Sequence, residues 1–461
     1  MTNAVSPASS TSCALVARTK PFVVASILLV SSLAWAGGMT LEGRGARPLG
    51  RAGSFVAGAD DGGAFVYNPA GLADIDGISI LIDGGMVLQR THYERVDSGG
   101  NKQPAVDGAL NFLPFPTAVI TWKPRKLSWL TVAGGVWVPY LGLNSFPDNG
   151  PQRYSSISLD GSLVVVMELA AAFRLNDHFA LGVGLQNMIL QFKSRVALST
   201  CTQLNCAPED PGFDSLTVLN AVSGFTPSGV VGATVAYPKI RAGLALQLPF
   251  FVNADGSVKS RLPTDPFYTN AQVQGTSATV NFTIPLMLRA GVEYRPIKTL
   301  RVELGFDYEA WSMQQYFTIQ PHGIYISGVP GIGNYYLNTL RVVRQLDDSF
   351  SIHVGAEFEA IRKKLVLRIG YLFETSATPY NTLSVLTSDG VHNMITLGMG
   401  VKMFGVRWDV GYAHLFTAER TVRDSQSLQL NPIAPSLGVP VGNGTYDIDT
   451  DIIAVGLDAQ F

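Results

Sequence analysis

Charged residues are scarce in this sequence, and the two signs nearly cancel. Asp, Glu, Lys and Arg make up 15% of the 461 residues, whereas 47% are hydrophobic, and the formal net charge is −2 at pH 7. A soluble protein of this length usually carries more charge. Because a nearly neutral chain does not attract polynucleotide phosphates, we expect no nucleic-acid partner.

Long hydrophobic runs are confined to the start of the chain. After residue 36, no segment offers the roughly 18 consecutive apolar residues of a transmembrane helix. Residues 1–36 are typical of a secretory signal, because Arg18 and Lys20 precede the apolar run 21–33 and an A-x-A cleavage site follows at 34–36. We predict Sec-type export and removal of this segment, and an uncleaved anchor helix is the alternative.

Cysteine is almost absent. Of the three cysteines, Cys13 lies in the predicted signal, and Cys201 and Cys206 share the polar segment CTQLNC. In an oxidising compartment we expect Cys201 and Cys206 to form a disulfide. A zinc site would need two further ligands, and none of the six histidines lies nearby. We therefore predict neither a metal nor another cofactor.

What the sequence has instead is alternation with a period of two. From about residue 77 onward, apolar residues alternate with polar residues or glycine, which predicts β-strands with one apolar face. In 281–294, the pattern assigns Phe282, Ile284 and Leu288 to the same apolar face. The other clear segments are 299–311, 364–374 and 451–461. Such strands fit either a soluble two-sheet sandwich or a membrane barrel with an apolar outer face.

Three features favour the membrane barrel. Short turns, such as 123–126 and 295–298, alternate with long polar stretches, such as 196–226 and 317–345, as they do in outer-membrane barrels. The strands are longer than the roughly five or six residues of soluble sheets, and the chain ends on an aromatic residue, Phe461. Other aromatic residues lie near strand ends, as in an interfacial girdle: Trp122, Trp129, Trp137, Tyr140, Tyr294, Trp311, Trp408 and Tyr412. Each of them alone also fits an ordinary core position.

These observations predict an all-β fold, a transmembrane antiparallel β-barrel of about 14 strands formed by residues 77–461. The wall side chains of so wide a barrel cannot fill its lumen. We therefore predict that residues 37–76, which show no strand period, fold inside as a plug, or hatch. The residues assigned to its compact turns are Asp60, Asp61, Asn68, Pro69 and Ala70. A disordered leader is the alternative.

The stretch LGRAGSFVAGADDGGAFVYNPAGLA (49–73) resembles the N-terminal hatch of the FadL/TodX family, outer-membrane transporters of long-chain fatty acids and hydrocarbons. The resemblance rests on three groups of residues at this spacing and continues through nearly the whole mature chain. The matching residues are Gly50, Arg51, Ala52, Ala59, Asp60, Asp61, Asn68, Pro69 and Ala70, and the later matching segments are 134–146, 178–186, 284–296 and 300–312.

The resemblance implies a monomeric barrel that takes up hydrophobic molecules by diffusion. Substrate would land on an apolar groove between the outer loops, bind inside the lumen, and leave through the wall beside a kinked third strand. That strand would span about 128–140, and the pair Gly134-Gly135 offers a place for a kink or bulge. The alternative is that both glycines relieve packing against the hatch.

Candidate substrate contacts follow from the same pattern. Apolar residues in loops that should be polar indicate a landing groove, and a cation in the lumen would bind a carboxylate. The loop candidates are Phe213, Leu216, Leu219, Phe250, Phe251 and Phe267, and the inward-facing basic candidates are Arg289, Arg301 and Arg368. The alternatives are that the loop residues pack into a lid and that the lumen charges pair to hold the hatch.

Other functions compete with transport. We predict no enzymatic activity, because no nucleophile–base motif is present and the histidines are scattered. The hatch argues against a water-filled porin, whereas a scaffold or docking role in secretion or surface attachment stays open, since a fold does not fix a function. We predict a passive transporter of long-chain fatty acids, with neutral aromatic hydrocarbons as the alternative substrates. Its partners would be these hydrophobic molecules and outer-membrane lipid.

Overall fold

The computed structural model describes residues 43–139, 144–202, 206–207, 209–330, 333–387 and 389–461. The predicted signal peptide, with Cys13, and the predicted girdle residue Tyr140 lie outside these residues. Among the described helices, none is long and apolar enough to cross a bilayer.

Fourteen β-strands form the wall, and several of them are interrupted by short irregular stretches. In chain order they are β1 (Ile78–Arg95), β2 (Val106–Asp107, Asn111–Pro114 and Thr117–Trp122), β3 (Leu130–Trp137), β4 (Leu163–Arg174), β5 (Phe179–Ser199), β6 (Asp214–Ala236), β7 (Ile240–Gln247 and Phe250–Arg261), β8 (Ser277–Ile284 and Met287–Ile297), β9 (Leu300–Glu309 and Tyr316–Pro321), β10 (Leu340–Val343 and Ser349–Ile361), β11 (Leu365–Glu374), β12 (His392–Met403), β13 (Val406–Thr417 and Arg420–Val422) and β14 (Gly444–Gln460). Three short strands outside the wall, Gln272–Gln274, Tyr325–Val329 and Gly333–Tyr336, form a separate small sheet.

The wall is a closed antiparallel barrel. Each strand pairs with its neighbours in the chain, and β14 pairs with β1 from Gln460–Ser79 to Gly444–Arg95. Closure matters in a bilayer, because the hydrocarbon offers no water to satisfy the backbone groups of a free sheet edge. The predicted all-β barrel of about 14 strands is confirmed.

The two faces of the wall alternate as the sequence predicts. In β4, Leu169 is exposed on the outer face, whereas its neighbours Glu168 and Ala170 are buried. Two aromatic residues that we placed in the girdle do not lie there, since Trp137 and Trp311 are buried. The prediction was wrong for these two residues. A position near a strand end places a residue near the edge of the membrane, but it does not say whether the side chain points to the lipid or to the lumen.

Proline interrupts β8 and changes which face its residues occupy. The break at 285–286 separates Ile284 from Met287, and both of these residues are buried. Ile284 and Met287 are three residues apart and both point inward, whereas residues three apart in an uninterrupted strand point to opposite faces. The alternation therefore shifts by one residue at the break. The prediction that Phe282 and Ile284 share the lipid-facing side with Leu288 is therefore wrong. Proline has no N–H to donate to a neighbouring strand, which accounts for the interruption.

Residues 43–76, called the N-terminal segment below, lie against the inward faces of the strands. The segment contains two one-turn helices, α1 (Ala46–Leu49) and α2 (Ala64–Tyr67), and a 3₁₀ helix (Pro69–Asp74). Nearly all of its residues are buried, although one-turn helices are not stable alone. Its order therefore comes from the surrounding wall.

Asn68 fixes the turn between the two halves of this segment. Its side-chain oxygen accepts a hydrogen bond from the Ala70 N–H at 3.2 Å. Its Nδ2 group donates to the carbonyls of Val56 at 3.0 Å and Ala233 at 3.2 Å. A side chain at Gly232 would collide with Asn68, so glycine at this position lets the turn approach β6. The turn that includes Pro69 and Ala70 is thus tied to the wall.

Candidate functional site

The N-terminal segment is joined to the wall by buried ion pairs. The guanidinium of Arg51 lies 2.9 Å from Glu303 and 3.2 Å from Glu293. The Glu303 carboxylate also accepts the backbone N–H groups of Val56, Ala57 and Gly58 at 2.8, 2.8 and 2.9 Å. The Glu303 carboxylate therefore accepts hydrogen bonds from four donor groups of the segment. These bonds offset the free-energy cost of burying its negative charge.

Asp60 and Asp61 form a second group of contacts with the wall. Arg47 Nη1 lies 2.8 Å from Asp60 and 2.7 Å from Asp61, Arg301 Nη1 lies 2.8 Å from Asp60, and Arg407 pairs with Asp61. Burial alone would raise the pKa of the Asp60 carboxyl, but Arg301 and Arg47 hold that pKa well below its usual range. Asp60 is consequently charged at neutral pH, and the contact persists there.

The three predicted substrate arginines take part in these charge contacts. Arg301 contacts Asp60, as described. Arg368 lies 2.7 Å from both Glu357 and Asp409. Arg289 lies 3.4 Å from Asp307, and it donates to the Val66 carbonyl at 3.4 Å. The structure thus places all three beside the N-terminal segment or within wall ion pairs, the alternative that the sequence left open.

An inner cavity of about 380 Å³ lies on the long-loop side of the N-terminal segment. Its lining is mostly apolar and includes Val87, Leu190, Phe192, Phe282, Ile284, Phe317, Met394 and Ile452. An outer cavity of about 340 Å³ lies beyond it and shares Phe192, Phe317, Arg344, Leu386 and Thr387 with the inner one. Volumes of about 300–1,000 Å³ are typical of ligand sites. Arg289, Arg301 and Arg368 line neither cavity.

Arg344 stands where the two cavities meet. Its side chain is buried, at 6% relative exposure, and its Nε has no hydrogen-bond partner. Within the described residues, no ion pair or side-chain hydrogen bond is formed by its guanidinium. A buried cation without a counter-charge is costly, and arginine stays protonated under these conditions. The position is therefore suited to a carboxylate brought in by a ligand.

Asp389 lines the inner cavity that Arg344 also lines. Its carboxyl Oδ2 accepts hydrogen bonds from Ser376 Oγ at 3.1 Å and from the N–H groups of Ala377 and Thr378 at 3.1 and 3.2 Å. Burial raises the pKa of Asp389 to about 8, and Glu374 acts in the same direction, against His392 and Arg420. The raised pKa makes the Asp389 carboxyl a weaker counter-charge, and within the described residues no ion pair joins it to Arg344.

The third strand does not bulge at its glycine pair. Gly134 and Gly135 pair with both β2 and β4 without a shift in register, so the bulge considered for Gly134-Gly135 is not found. A side chain at Gly135 would collide with the Ala118 carbonyl and approach Phe65 of the N-terminal segment to 3.2 Å. The closeness of Phe65 agrees with the alternative interpretation of Gly135, in which a glycine leaves room for the hatch to pack against the wall.

The irregularity lies just beyond, where β3 ends at Trp137. Above that point, Asn111–Pro114 pairs only with β1 and the start of β4, 163–165, pairs only with β5. Residues 140–143, which follow β3 in the chain, are outside the described residues, and among the described residues no strand pairs with either edge at this height. We call this place the side window. The inner cavity reaches it, because Leu113, Pro114, Val138 and Leu163 are among the lining residues of that cavity.

Most of the predicted loop contacts do not line a cavity. Leu219 lines the outer cavity. Phe213 packs with Tyr268 and Ile433 in a cluster that includes Cys201, and Phe267 packs against that cluster. The remaining three lie apart from the cluster: Leu216 packs beside Val441, Phe250 is buried in the main core, and Phe251 is exposed on the outer face. Phe213 and Phe267 thus pack among loop residues, as the lid alternative expects, and the Cys201–Cys206 disulfide lies beside them.

Taken together, the geometry defines a class: a membrane-spanning barrel whose lumen holds an ordered N-terminal segment and an apolar cavity lined by the wall strands. The family model described as outer membrane protein transport protein (OMPP1/FadL/TodX) matches residues 27–461. The chain therefore belongs to this family of outer-membrane transporters of hydrophobic substrates. No protein of curated function matches the sequence at a significant level.

Solved structures share the fold at low sequence identity. A FadL homologue from Pseudomonas aeruginosa superposes with a TM-score of 0.76 at 16% identity, covering 92% of this chain and 100% of the homologue. The Pseudomonas putida toluene transporter TodX gives 0.64 at 13% identity, covering 91% and 99%. The Ralstonia pickettii toluene transporter TbuX gives 0.61 at 15% identity, also covering 91% and 99%. These proteins are channels and transporters rather than enzymes.

Proposed function

We propose that this protein carries long-chain fatty acids passively across the outer membrane. The observation that carries the proposal is Arg344, a buried arginine without a counter-charge at the junction of two apolar cavities. A fatty acid supplies what that junction lacks, since its carboxylate would pair with the guanidinium. Its chain would gain about 0.8 kcal/mol for each CH₂ buried against the apolar lining.

Neutral aromatic hydrocarbons are the second candidate substrates. TodX and TbuX are toluene transporters, and the lining of the inner cavity of this protein is mostly apolar. A hydrocarbon, however, would fill the cavity without giving Arg344 a partner. The cost of that buried cation favours an anionic ligand over a neutral one of equal size.

The proposed route runs from the outer cavity to the inner cavity and then sideways. In this proposal, residues 1–36 are the export signal, residues 37–76 are the hatch, and residues 77–461 are the barrel. The buried ion pairs of Arg51 and Asp60 support a hatch that stays in place, which closes the axial path. Lateral exit through the side window would deliver an apolar molecule directly to lipid. A continuous apolar route of this kind also favours transport over a scaffold role.

Uptake of radiolabelled oleate tests the proposal directly. Cells that lack their own transporter should take up oleate saturably when they contain this protein in the outer membrane, and excess unlabelled oleate should compete. Toluene uptake is measured in the same cells. If the folded barrel carries toluene but not oleate, the neutral-substrate candidate replaces the fatty acid, and if it carries neither, transport of both classes is ruled out.

Narrowing the side window should slow uptake without weakening binding. Leu163 lines the inner cavity beside the window and is exposed on the outer face. We expect Leu163→Trp to reduce oleate uptake several-fold, by more than it changes the oleate affinity of the purified protein, because the larger ring obstructs the exit and not the head-group site. Leu169→Trp is the matched control, since Leu169 lies on the same strand and faces lipid only. Equal uptake by the two variants would argue against lateral exit.

A further inference from the structure

Four basic residues lie close together on the outer face of the wall, near the long loops. They are Lys193 and Arg195 of β5 and Lys259 and Arg261 of β7. Their chain neighbours Phe192, Ser194, Val258 and Ser260 line the cavities. Since successive side chains of a strand point to opposite faces, the four basic side chains point outward, away from the lumen. We call them the basic patch.

The strand register brings the members of the basic patch together. Arg195 and Lys259 both pair with Val218 of β6, from its two sides. Two strand spacings of about 4.8 Å therefore separate their backbones, a distance of about 10 Å that long side chains readily span. Lys193 and Arg261 lie one side-chain position away along their strands, so all four cations can surround one anionic group or two adjacent ones.

Most of this charge is not used within the protein. Arg195 lies 2.8 Å from Asp148, an exposed residue. Within the described residues, the side chains of Lys193, Lys259 and Arg261 form no ion pair or hydrogen bond, although the carbonyls of Lys193 and Arg261 accept hydrogen bonds from Ser162 and Ser215. The opposite side of the barrel differs, because Arg90 there lies 3.1 Å from Asp449 and Lys102 lies 2.9 Å from Glu94.

Apolar residues lie farther along the same outer face, beyond Asn220, Ser257 and Asp255, toward the middle of the wall. Phe225 is 75% exposed, Phe251 is 66% exposed and Val222 is 48% exposed, all on the outer face of β6 and β7. The surface thus presents cations near the long loops, then a polar band that includes Asp255, and apolar side chains beyond that band. That order is the order of groups in a lipid whose phosphates lie above its acyl chains.

We propose that the basic patch binds the phosphate groups of a phosphorylated lipid of the outer leaflet, whose acyl chains pack on Phe225 and Phe251. Charge complementarity and the apolar rings below favour this occupant over free phosphate, which would use only the cations. The site faces lipid and not the lumen. It is therefore separate from the substrate route, and the proposal stands whether or not the protein carries fatty acids.

Native mass spectrometry of the purified full-length barrel tests this site. The probe is bisphosphorylated lipid A, and the phosphatase-treated lipid is the comparison. We expect the wild-type protein to retain lipid A, and we expect the variant K193Q/R195Q/K259Q/R261Q to bind it about tenfold more weakly, since several exposed ion pairs are lost together. The matched control R90Q/K102Q on the opposite side should bind as the wild type does.

Three results would overturn the proposal. They are equal binding of the dephosphorylated lipid, unchanged binding by the quadruple variant, or full displacement of lipid A by millimolar inorganic phosphate. Correct folding of each variant is checked by its heat-dependent mobility on gels. Lys259→Gln/Arg261→Gln supplies a milder variant, which should show an intermediate loss if the quadruple variant assembles poorly.

Discussion

Replacing Arg344 with glutamine is expected to weaken fatty-acid binding by about 10- to 100-fold while the barrel stays folded. A hydrogen bond to a charged group contributes about 1.5–3 kcal/mol, and each 1.4 kcal/mol corresponds to about a factor of ten in affinity. Arg344 has no protein partner to lose within the described residues. The substitution would therefore remove the proposed ligand contact, and it relieves rather than creates a buried charge. Isothermal titration of the purified protein with oleate measures the effect.

A neutral ligand of the same length separates charge pairing from apolar burial. Oleyl alcohol should bind the wild-type protein more weakly than oleate, and this difference should nearly vanish in Arg344→Gln, as in a double-mutant cycle. Arg344→Lys should retain part of the preference, because it keeps the charge but not the planar donor pair. Arg423→Gln is the matched control, since Arg423 is exposed and lines neither cavity. An undiminished preference for oleate in Arg344→Gln would contradict the carboxylate site.

The strands could be predicted from the sequence because lipid imposes a simple rule. Every second residue of a barrel strand must be apolar, so alternation and loop length together predicted a closed barrel of about 14 strands. The same rule assigned Arg301 and Arg368 to the inward face. The alternation could not give the position of these two residues along the barrel axis. Its period of two is the same beside the N-terminal segment as it is beside the cavity. Their contacts with Asp60 and Asp409 were therefore visible only in three dimensions.

The residues that the sequence missed lie where the alternation is interrupted. Arg344 follows the first part of β10 and precedes a gap in that strand. Because of this interruption, the sequence pattern predicted a long loop at this position. Phe282 was assigned to the lipid face because the break at 285–286 reverses the alternation, and only the pairing of neighbouring strands reveals that reversal. A proline within an alternating segment is the sequence signal for such an interruption, because proline cannot donate a hydrogen bond to the neighbouring strand.

Removing the charge of Glu303 is expected to release the N-terminal segment while the barrel remains assembled. Glu303 is fully buried, and its carboxylate accepts hydrogen bonds from Arg51 and from the N–H groups of Val56, Ala57 and Gly58. In Glu303→Gln, the amide nitrogen would face these donors, and one carboxylate beside Arg51 would be lost. Breaking a buried ion pair costs about 3–5 kcal/mol. We expect the substitution to destabilise the contact between the N-terminal segment and the wall but not the barrel, because the backbone pairing of β9 is unaffected.

Two measurements distinguish this local release from general unfolding. Amide hydrogen exchange should rise at 51–58 and stay slow in the strands, and leakage of small polar dyes into proteoliposomes should increase. Glu419→Gln, at an exposed position, is the matched control and should change neither quantity. If exchange at 51–58 is unchanged in Glu303→Gln, then packing of Phe55 and Phe65 in the main core holds the segment without help from its charges. If exchange rises and leakage does not, the released segment still fills the lumen, and the axial path stays closed for steric rather than electrostatic reasons.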